Sequence, residues 1–345
     1  MGFRPWRRPS QPILRRGSNE VLDLLERADE ALWFAHALTA CSEAGVVRHL
    51  ESPSTLQDIS KNLSLDPGLA AALVDVLVGA GLATCEDDSI RAAPALQPFT
   101  TEDGAKVLQA ALQAPLLQVK DFRERLRDGR MALNGWTHTD EAIIEAQGAL
   151  TRLWTAKALP KLKFLPGLVT CLERQGASLL DVGAGAAGLS ITLCQAFPHL
   201  TATALEPAEH PAIIGERHVR EAGLDGRIVL RRQRIEHIED EEAFDLAFLP
   251  QMFLSDPAMS EAARRIFRSL RPGGWLLVAV LADEGHGIAS SVNRLKNLLW
   301  GGHTRSMDSI KPHFVAAGFN PVIRAPGGRM LRMICARRPV SGRSP

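Results

Sequence analysis

"SLLDVGAGAAGLS", residues Ser178–Ser190, decides how this chain is read. A short apolar run ends in three glycines spaced Gly183-x-Gly185-x-x-Gly188, and a second apolar stretch follows. A run of this length closed by glycine reads as a buried strand, a tight turn and the start of a helix. Glycine at such a turn admits left-handed backbone and lets a ligand approach the main chain.

Downstream the pattern repeats. Further strands are expected at 201–205, 227–230, 244–249 and 275–280, with helices at 189–196, 213–222 and 260–270 between them. This alternation predicts an α/β domain with a Rossmann-like parallel sheet covered on both faces. The end differs: "NPVIRAPGGRMLRMICARR" holds two β-rich runs around Ala325-Pro326-Gly327-Gly328, the pattern of a closing antiparallel hairpin.

Upstream, residues 20–100 read as helices, with apolar positions three and four apart. Two short helices begin after Thr55 and at Asp66-Pro67, and "LATCEDDSIRAAP" then forms a small hairpin turning at Asp87-Asp88. Helix, helix, longer helix and β-wing make a winged helix. Its recognition-helix position, Pro67–Gly79, holds no Lys or Arg to meet phosphates, so burial in a subunit interface is expected rather than DNA binding. Four segments are expected: a disordered basic tail at 1–18, a winged-helix dimerisation domain at 19–103, a helical linker contributing to the substrate pocket at 104–168, and the ligand-binding α/β domain at 169–345.

Composition narrows the options. The 345 residues are 46% apolar and 23% charged with a formal net charge of +1, as in a globular protein without a nucleic-acid-binding field. No apolar run reaches the roughly 20 residues that span a bilayer. Five scattered cysteines without a C-x-x-C pair argue against a disulfide framework or a metal site and suggest the cytoplasm. The first 17 residues carry five arginines and no apolar core of a secretory signal.

The turn's neighbours indicate its ligand. Glu206, 18 residues past Gly188 at the end of the second strand, suits a ribose diol. Asp181, two residues before Gly183, repels a pyrophosphate but suits a cation such as S-adenosylmethionine. With "LLDVGAGAAG", "ALEP", "FDLAFLPQ" and "LRPGGWLLV" in this order, the chain resembles a class I S-adenosylmethionine-dependent methyltransferase. The winged-helix front end and residues 298–319 extend the resemblance to the small-molecule O-methyltransferases with an N-terminal dimerisation domain.

The resemblance implies a seven-stranded methyltransferase sheet with a reversed last strand. It further implies S-adenosyl-L-methionine as cofactor, a homodimer formed through the N-terminal domain, and a small acceptor of secondary metabolism methylated on O, N or C. No nucleic-acid or membrane partner is expected. Cofactor contacts are expected from Asp181, Gly183, Gly185, Gly188, Glu206, Pro207, Gln233, Arg234, Ile235, Pro250 and Gln251. A buried Asp181 that only caps the turn is the competing reading of that residue.

Two positions depart from the family. Gln233-Arg234-Ile235 replaces the segment whose Asp takes the adenine amine, and an Arg cannot accept a hydrogen bond. Leu254 stands where phenolic O-methyltransferases carry their general-base His. Catalysis by proximity without a dedicated base is the preferred reading, with His138 and His303 the candidates for a relocated one. Pocket candidates are Trp136, Gln147, Trp154, Met252 and Trp300. A cofactor-binding protein of other chemistry (decarboxylation, hydroxylation, pericyclic reaction) and a winged-helix regulator are the competing functions.

Overall fold

The structure is a computed structural model that describes residues 18–128, 136, 138–281, 287–302, 305–325 and 331–340. The chain forms two compact units, residues 1–112 and 113–345.

The first unit holds α1 (Ser18–Glu43), α2 (Val46–His49), α3 (Leu56–Leu63), α4 (Pro67–Gly79) and the strands β1 (Ala83–Glu86) and β2 (Ser89–Ala92). Each short helix starts where its cap dictates. Thr55 Oγ1 accepts from the Asp58 amide at 3.1 Å, and Asp66 Oδ1 accepts from the Leu69 amide at 3.0 Å, with Pro67 in the first turn. Asp87 and Asp88 both take left-handed backbone (φ 48° and 64°), the geometry of a two-residue hairpin turn. Val46, Val47, Leu50, Ile59, Leu77 and Ile90 form the centre of this unit's core. Helix α4 buries only part of its surface within the chain: Ala70, Val74 and Leu77 are inside, whereas Leu69 is 51% exposed.

Helix α5 (Glu102–Arg127) begins in the first unit and continues into the second. There follow α6 (Glu141–Ala158), α7 (Leu168–Glu173), β3 (Ser178–Val182), α8 (Gly188–Ala196), β4 (Thr201–Leu205), α9 (Glu209–Glu221), β5 (Ile228–Arg231), β6 (Phe244–Pro250), α10 (Asp256–Ser269), β7 (Leu270–Leu281), α11 (Ile288–Leu299), α12 (Met307–Ala317), β8 (Val322–Ala325) and β9 (Leu331–Arg337). The sheet has seven strands in the order β5-β4-β3-β6-β7-β9-β8. The first five are parallel, while β9 runs antiparallel to both β7 and β8, as the terminal hairpin pattern predicts.

Side chains of β3 alternate between two cores. Leu180 and Val182 join one with Ile266 of α10 and Phe314 of α12; Leu179 joins the other with Leu172, Cys194 and Val219 from α7, α8 and α9. Burial on both faces is why these strands read as nearly continuous apolar runs. One strand differs from its sequence pattern. β7 begins at Leu270 rather than 275, pairs with Phe244, and resumes its register at Trp275 opposite Leu246. The intervening segment contains Pro272, which lacks an amide donor, and Gly273 at φ 86°, so it forms an irregularity within the strand.

Helix α6 lies on α8 through two glycines. A Cβ on Gly188 would sit 2.6 Å from the Gly148 carbonyl oxygen, and one on Gly148 would sit 2.8 Å from Ala186 Cβ. Backbone cannot yield as a flexible side chain does. Gly188→Ala is therefore expected to lower unfolding stability by about 1–3 kcal/mol, the cost of an overpacked contact, as read from urea denaturation.

Candidate functional site

Strands β3 and β6 are neighbours at the point where the strand order reverses, and the crevice beyond their carboxyl ends is where open α/β sheets bind ligands. Gly183 (φ 65°), Gly185 (φ 54°) and Ala187 (φ 59°) turn the chain out of β3 with left-handed backbone. The turn is held by the end of β4: the Ala184 amide donates to the Leu205 carbonyl (2.9 Å), and the Gly185 amide to Glu206 Oε2 (2.9 Å). The other Glu206 oxygen accepts from the Ala208 amide at 2.8 Å. Above Gly185 an added Cβ would meet nothing within 4 Å, so this part of the turn is an open cradle. Gly183 faces Pro250 across the crevice, its Cβ position 3.5 Å from the proline ring. At Gly188 the side where a Cβ would sit is filled by α6.

Two carboxylates bracket the turn. Glu206 is 8% exposed, and burial raises its pKa against the two amides that favour its charge. Asp181 is 1% exposed and accepts the Ser190 hydroxyl at 2.7 Å. Burial pushes it up to about 7, partly offset by its Ser190 hydrogen bonds, with the nearby Glu206 charge adding a smaller upward push. Two desolvated acids repel an anion and favour a cation.

Arg152 reaches the same turn from α6. Its Cγ lies 3.2 Å from where a Gly188 Cβ would be, and among the described residues its buried Nε has no hydrogen-bond partner. His218 of α9 lies beneath the turn, Nδ1 3.2 Å from the Ala186 carbonyl and Nε2 2.8 Å from Glu145 of α6. Arg217 pairs with Glu141 and Glu145 beside it.

The remaining cofactor candidates are spread around the crevice. Gln233 donates its amide to the His237 carbonyl (2.7 Å), Arg234 and Pro207 are exposed, and Ile235 is buried. Gln251 is fully buried directly after β6.

Beyond β6, residues distant in sequence come together. The Trp136 ring lies 4.5 Å from His138, 5.5 Å from Phe253 and 5.9 Å from Trp300, centroid to centroid, and Phe253 lies 5.8 Å from Trp300. Met252 packs with Ala279 and Leu281 against Phe253 and Trp300. The His138 side chain is 10% exposed, with Nδ1 3.1 Å from Asp121 Oδ2 on α5; Asp121 also accepts from Arg125 Nε at 2.8 Å. Leu254 is half-buried, and its carbonyl accepts from the buried Arg305 at 3.0 Å.

The structure thus gathers Trp136, His138, Met252 and Trp300, and leaves two pocket candidates outside this cluster. Gln147 pairs with Gln118 at 3.0 Å, and Trp154 carries the Lys157 ammonium 5.8 Å above its ring. His303 lies outside the described residues. Sequence reasoning missed Phe253, Asp121, Arg152 and Arg305. Phe253 has a local signal, since it lies between Met252 and Leu254 directly after β6. Asp121 reads as one more charge on a helix, with nothing local linking it to a histidine 17 positions on. A cavity of about 200 Å³ lined by Pro166, Cys171, Asp245, Trp275 and Arg337 opens at the other end of the sheet. There Asp245 is held by Arg174 and Arg271 as a structural ion pair, so this cavity is no rival to the glycine turn.

Residues 179–274 match the family model described as a methyltransferase domain. Over 164 residues the chain is 33% identical to the L-tyrosine C(3)-methyltransferase of Streptomyces lavendulae, a match spanning 45% of this chain and 44% of that relative. The pyocyanin biosynthetic protein PhzM superposes with a TM-score of 0.67 at 15% identity, covering 93% of this chain and 99% of the other. Human N-acetylserotonin methyltransferase, solved in complex with S-adenosylmethionine, superposes at 0.64 with 16% identity, covering 95% and 100%. Residues 179–274 are thus similar to a methyltransferase domain, and the chain shares the fold of these O-methyltransferase structures.

Asp181 makes stability depend on pH. Its folded pKa lies above its unfolded value, so its contribution is fully present below about pH 4 and is lost as pH rises to about 7. Asp181→Asn keeps the shape and cannot ionise. The fall in urea-unfolding stability between about pH 5 and about pH 8 is therefore expected to be smaller in this variant than in the parent.

Proposed function

We propose that the chain is an S-adenosylmethionine-dependent methyltransferase acting on a small aromatic molecule of secondary metabolism. The observation that carries this reading is the open Gly185 cradle tied to the Glu206 carboxylate and flanked by buried Asp181. The donor set fits the cofactor group by group. Each Glu206 oxygen accepts one amide and keeps a lone pair for a ribose hydroxyl. The two desolvated acids favour the cationic sulfonium and ammonium. Arg152, half-buried beside the turn, offers its guanidinium to the carboxylate of the methionine portion.

Bound there, S-adenosylmethionine supplies an electrophilic methyl group. The residues of this chain would hold the acceptor in line and exclude water, which is how positioning lowers a bimolecular barrier. The rings of Trp136, Phe253 and Trp300, directly beyond Pro250 and Gln251, support an aromatic acceptor. The tyrosine-modifying relative points the same way and keeps carbon as well as oxygen among the atoms methylated. Calorimetric titration with the cofactor tests the reading. Glu206→Ala is expected to weaken binding by about 1.5–3 kcal/mol, tenfold or more, as for hydrogen bonds to a charged group. Unchanged affinity in a folded variant would remove Glu206 from the ribose site, and micromolar binding of NADH would overturn the choice of cofactor.

Assembly belongs to the same proposal. Helix α1 exposes Leu22, Leu25, Leu32 and Trp33, the last at 70%, and α4 adds Leu69. Apolar side chains this exposed on adjacent turns support a two-fold homodimer through an N-terminal winged-helix domain. Cytoplasmic residence is proposed with it, consistent with five free thiols and with no single helix among the described residues being long and apolar enough to cross a membrane. Light scattering at tens of micromolar is expected to give twice the chain mass, and a monomer would exclude the dimer.

A further inference from the structure

The position that normally supplies the base is a leucine, yet the region beyond β6 is not without a base. We propose that Asp121 and His138 form a relocated base pair that takes the proton of a phenolic hydroxyl seated among Trp136, Phe253 and Trp300. The proposal rests on the methyltransferase reading above and deepens it by naming the acceptor class.

The geometry sets the roles. Nδ1 of His138 faces Asp121 Oδ2 at 3.1 Å and Arg125 Nη2 at 3.4 Å. Only one of these can be its partner, because a carboxylate accepts and a guanidinium donates. The shorter contact is to Asp121, and the Arg125 guanidinium already binds that carboxylate at 2.8 Å. Nδ1 therefore carries the hydrogen, and Nε2 is left with its lone pair, the tautomer a proton acceptor needs. Asp121 is a positioning residue, fixing the ring and stabilising the imidazolium that forms.

The groups facing the ring are Asp121 and Arg125 from α5 and Asp140 from its own segment. Burial is the largest influence and holds the imidazole below its ordinary pKa, Arg125 acts in the same direction, and the two aspartates oppose them. The ring is thus neutral and able to accept at neutral pH.

A second observation independently points to a polar ligand. Asn297 of α11 is fully buried, and its Nδ2 donates to the Leu281 carbonyl at 3.2 Å. Among the described residues its Oδ1 has no hydrogen-bond partner. Leu281, whose carbonyl takes the Asn297 amide, packs with Met252 against Phe253 and Trp300, so this acceptor is one hydrogen bond removed from a residue of that cluster. A buried acceptor left unpaired is costly unless a ligand supplies the donor.

The step balances. The hydroxyl proton passes to His138 Nε2, and the freed oxygen pair attacks the methyl carbon. The carbon–sulfur pair returns to sulfur as that bond breaks, and the imidazolium later loses its proton to water.

4-Nitrophenol is a direct probe, because its phenolate absorbs in the visible while its phenol does not. With S-adenosylhomocysteine bound, the parent protein is expected to bind 4-nitrophenol with its apparent pKa lowered by about one unit or more. His138→Gln is expected to abolish the shift, and Asp121→Asn to reduce it, with S-adenosylhomocysteine affinity by calorimetry and circular dichroism unchanged in both. A shift that survives in His138→Gln overturns the proposal. Failure of the parent to bind 4-nitrophenol while binding S-adenosylhomocysteine also overturns it, and leaves the methyltransferase reading standing. Failure to bind S-adenosylhomocysteine removes that reading and this one together.

Discussion

Two backbones touch where Gly148 of α6 meets Gly188 of α8, and much of the site depends on that contact. A side chain at either position would lift α6 away from the turn after β3. Seated as it is, α6 brings Arg152 to the glycine turn and Glu145 to His218, and His218 in turn reaches the Ala186 carbonyl. At the other end of α6, Asp140 caps the helix by accepting the Ala142 amide at 2.8 Å, which fixes the direction from which His138 enters. One close approach between main chains thus orders charges on the turn and, through the helix axis, a histidine two residues before its Asp140 cap.

The sheet was legible because local signals and tertiary demands agree there. Buried parallel strands need unbroken apolar runs, and the segments at 178–182 and 201–205 have the observed bounds. Asp87-Asp88 and Asp66-Pro67 announce their turn and cap by chemistry that acts over three or four residues. The early start of β7 was not legible, since Pro272 and Gly273 are turn residues that a neighbouring strand accommodates as an irregularity. The site divides in the same way. The glycines and Glu206 belong to a compact motif, whereas the meeting of Asp121, His138, Phe253 and Trp300 spans 180 positions and follows only from the folded chain. Gly188 is expected to serve a ligand, and its packing against α6 is a further demand for glycine there, because spacing alone does not reveal which side of a glycine is occupied.

Charge is distributed with a consistent logic along the sheet. At the amino ends of the strands, buried Asp245 is met by Arg174 and Arg271, and it also accepts the Ser178 amide at 3.0 Å. At the carboxyl ends, Asp181 and Glu206 receive hydrogen bonds from amides and a hydroxyl, which favour their charge only in part. The first end is compensated, as a structural region must be. The second retains unspent negative potential beside an open cradle, the condition under which a positive ligand gains most from binding.

That unspent potential has a thermodynamic consequence for the carboxyl of Asp181. In the free protein near neutrality it is divided between its acid and its base form. A permanently cationic ligand settling on the turn favours the base form, so binding ejects a fraction of a proton into solution. The heat of association then includes the ionisation heat of whichever buffer takes up that proton. Titrations in phosphate and in Tris would differ in enthalpy while agreeing in free energy, and the slope between them would count the protons that Asp181 gives up.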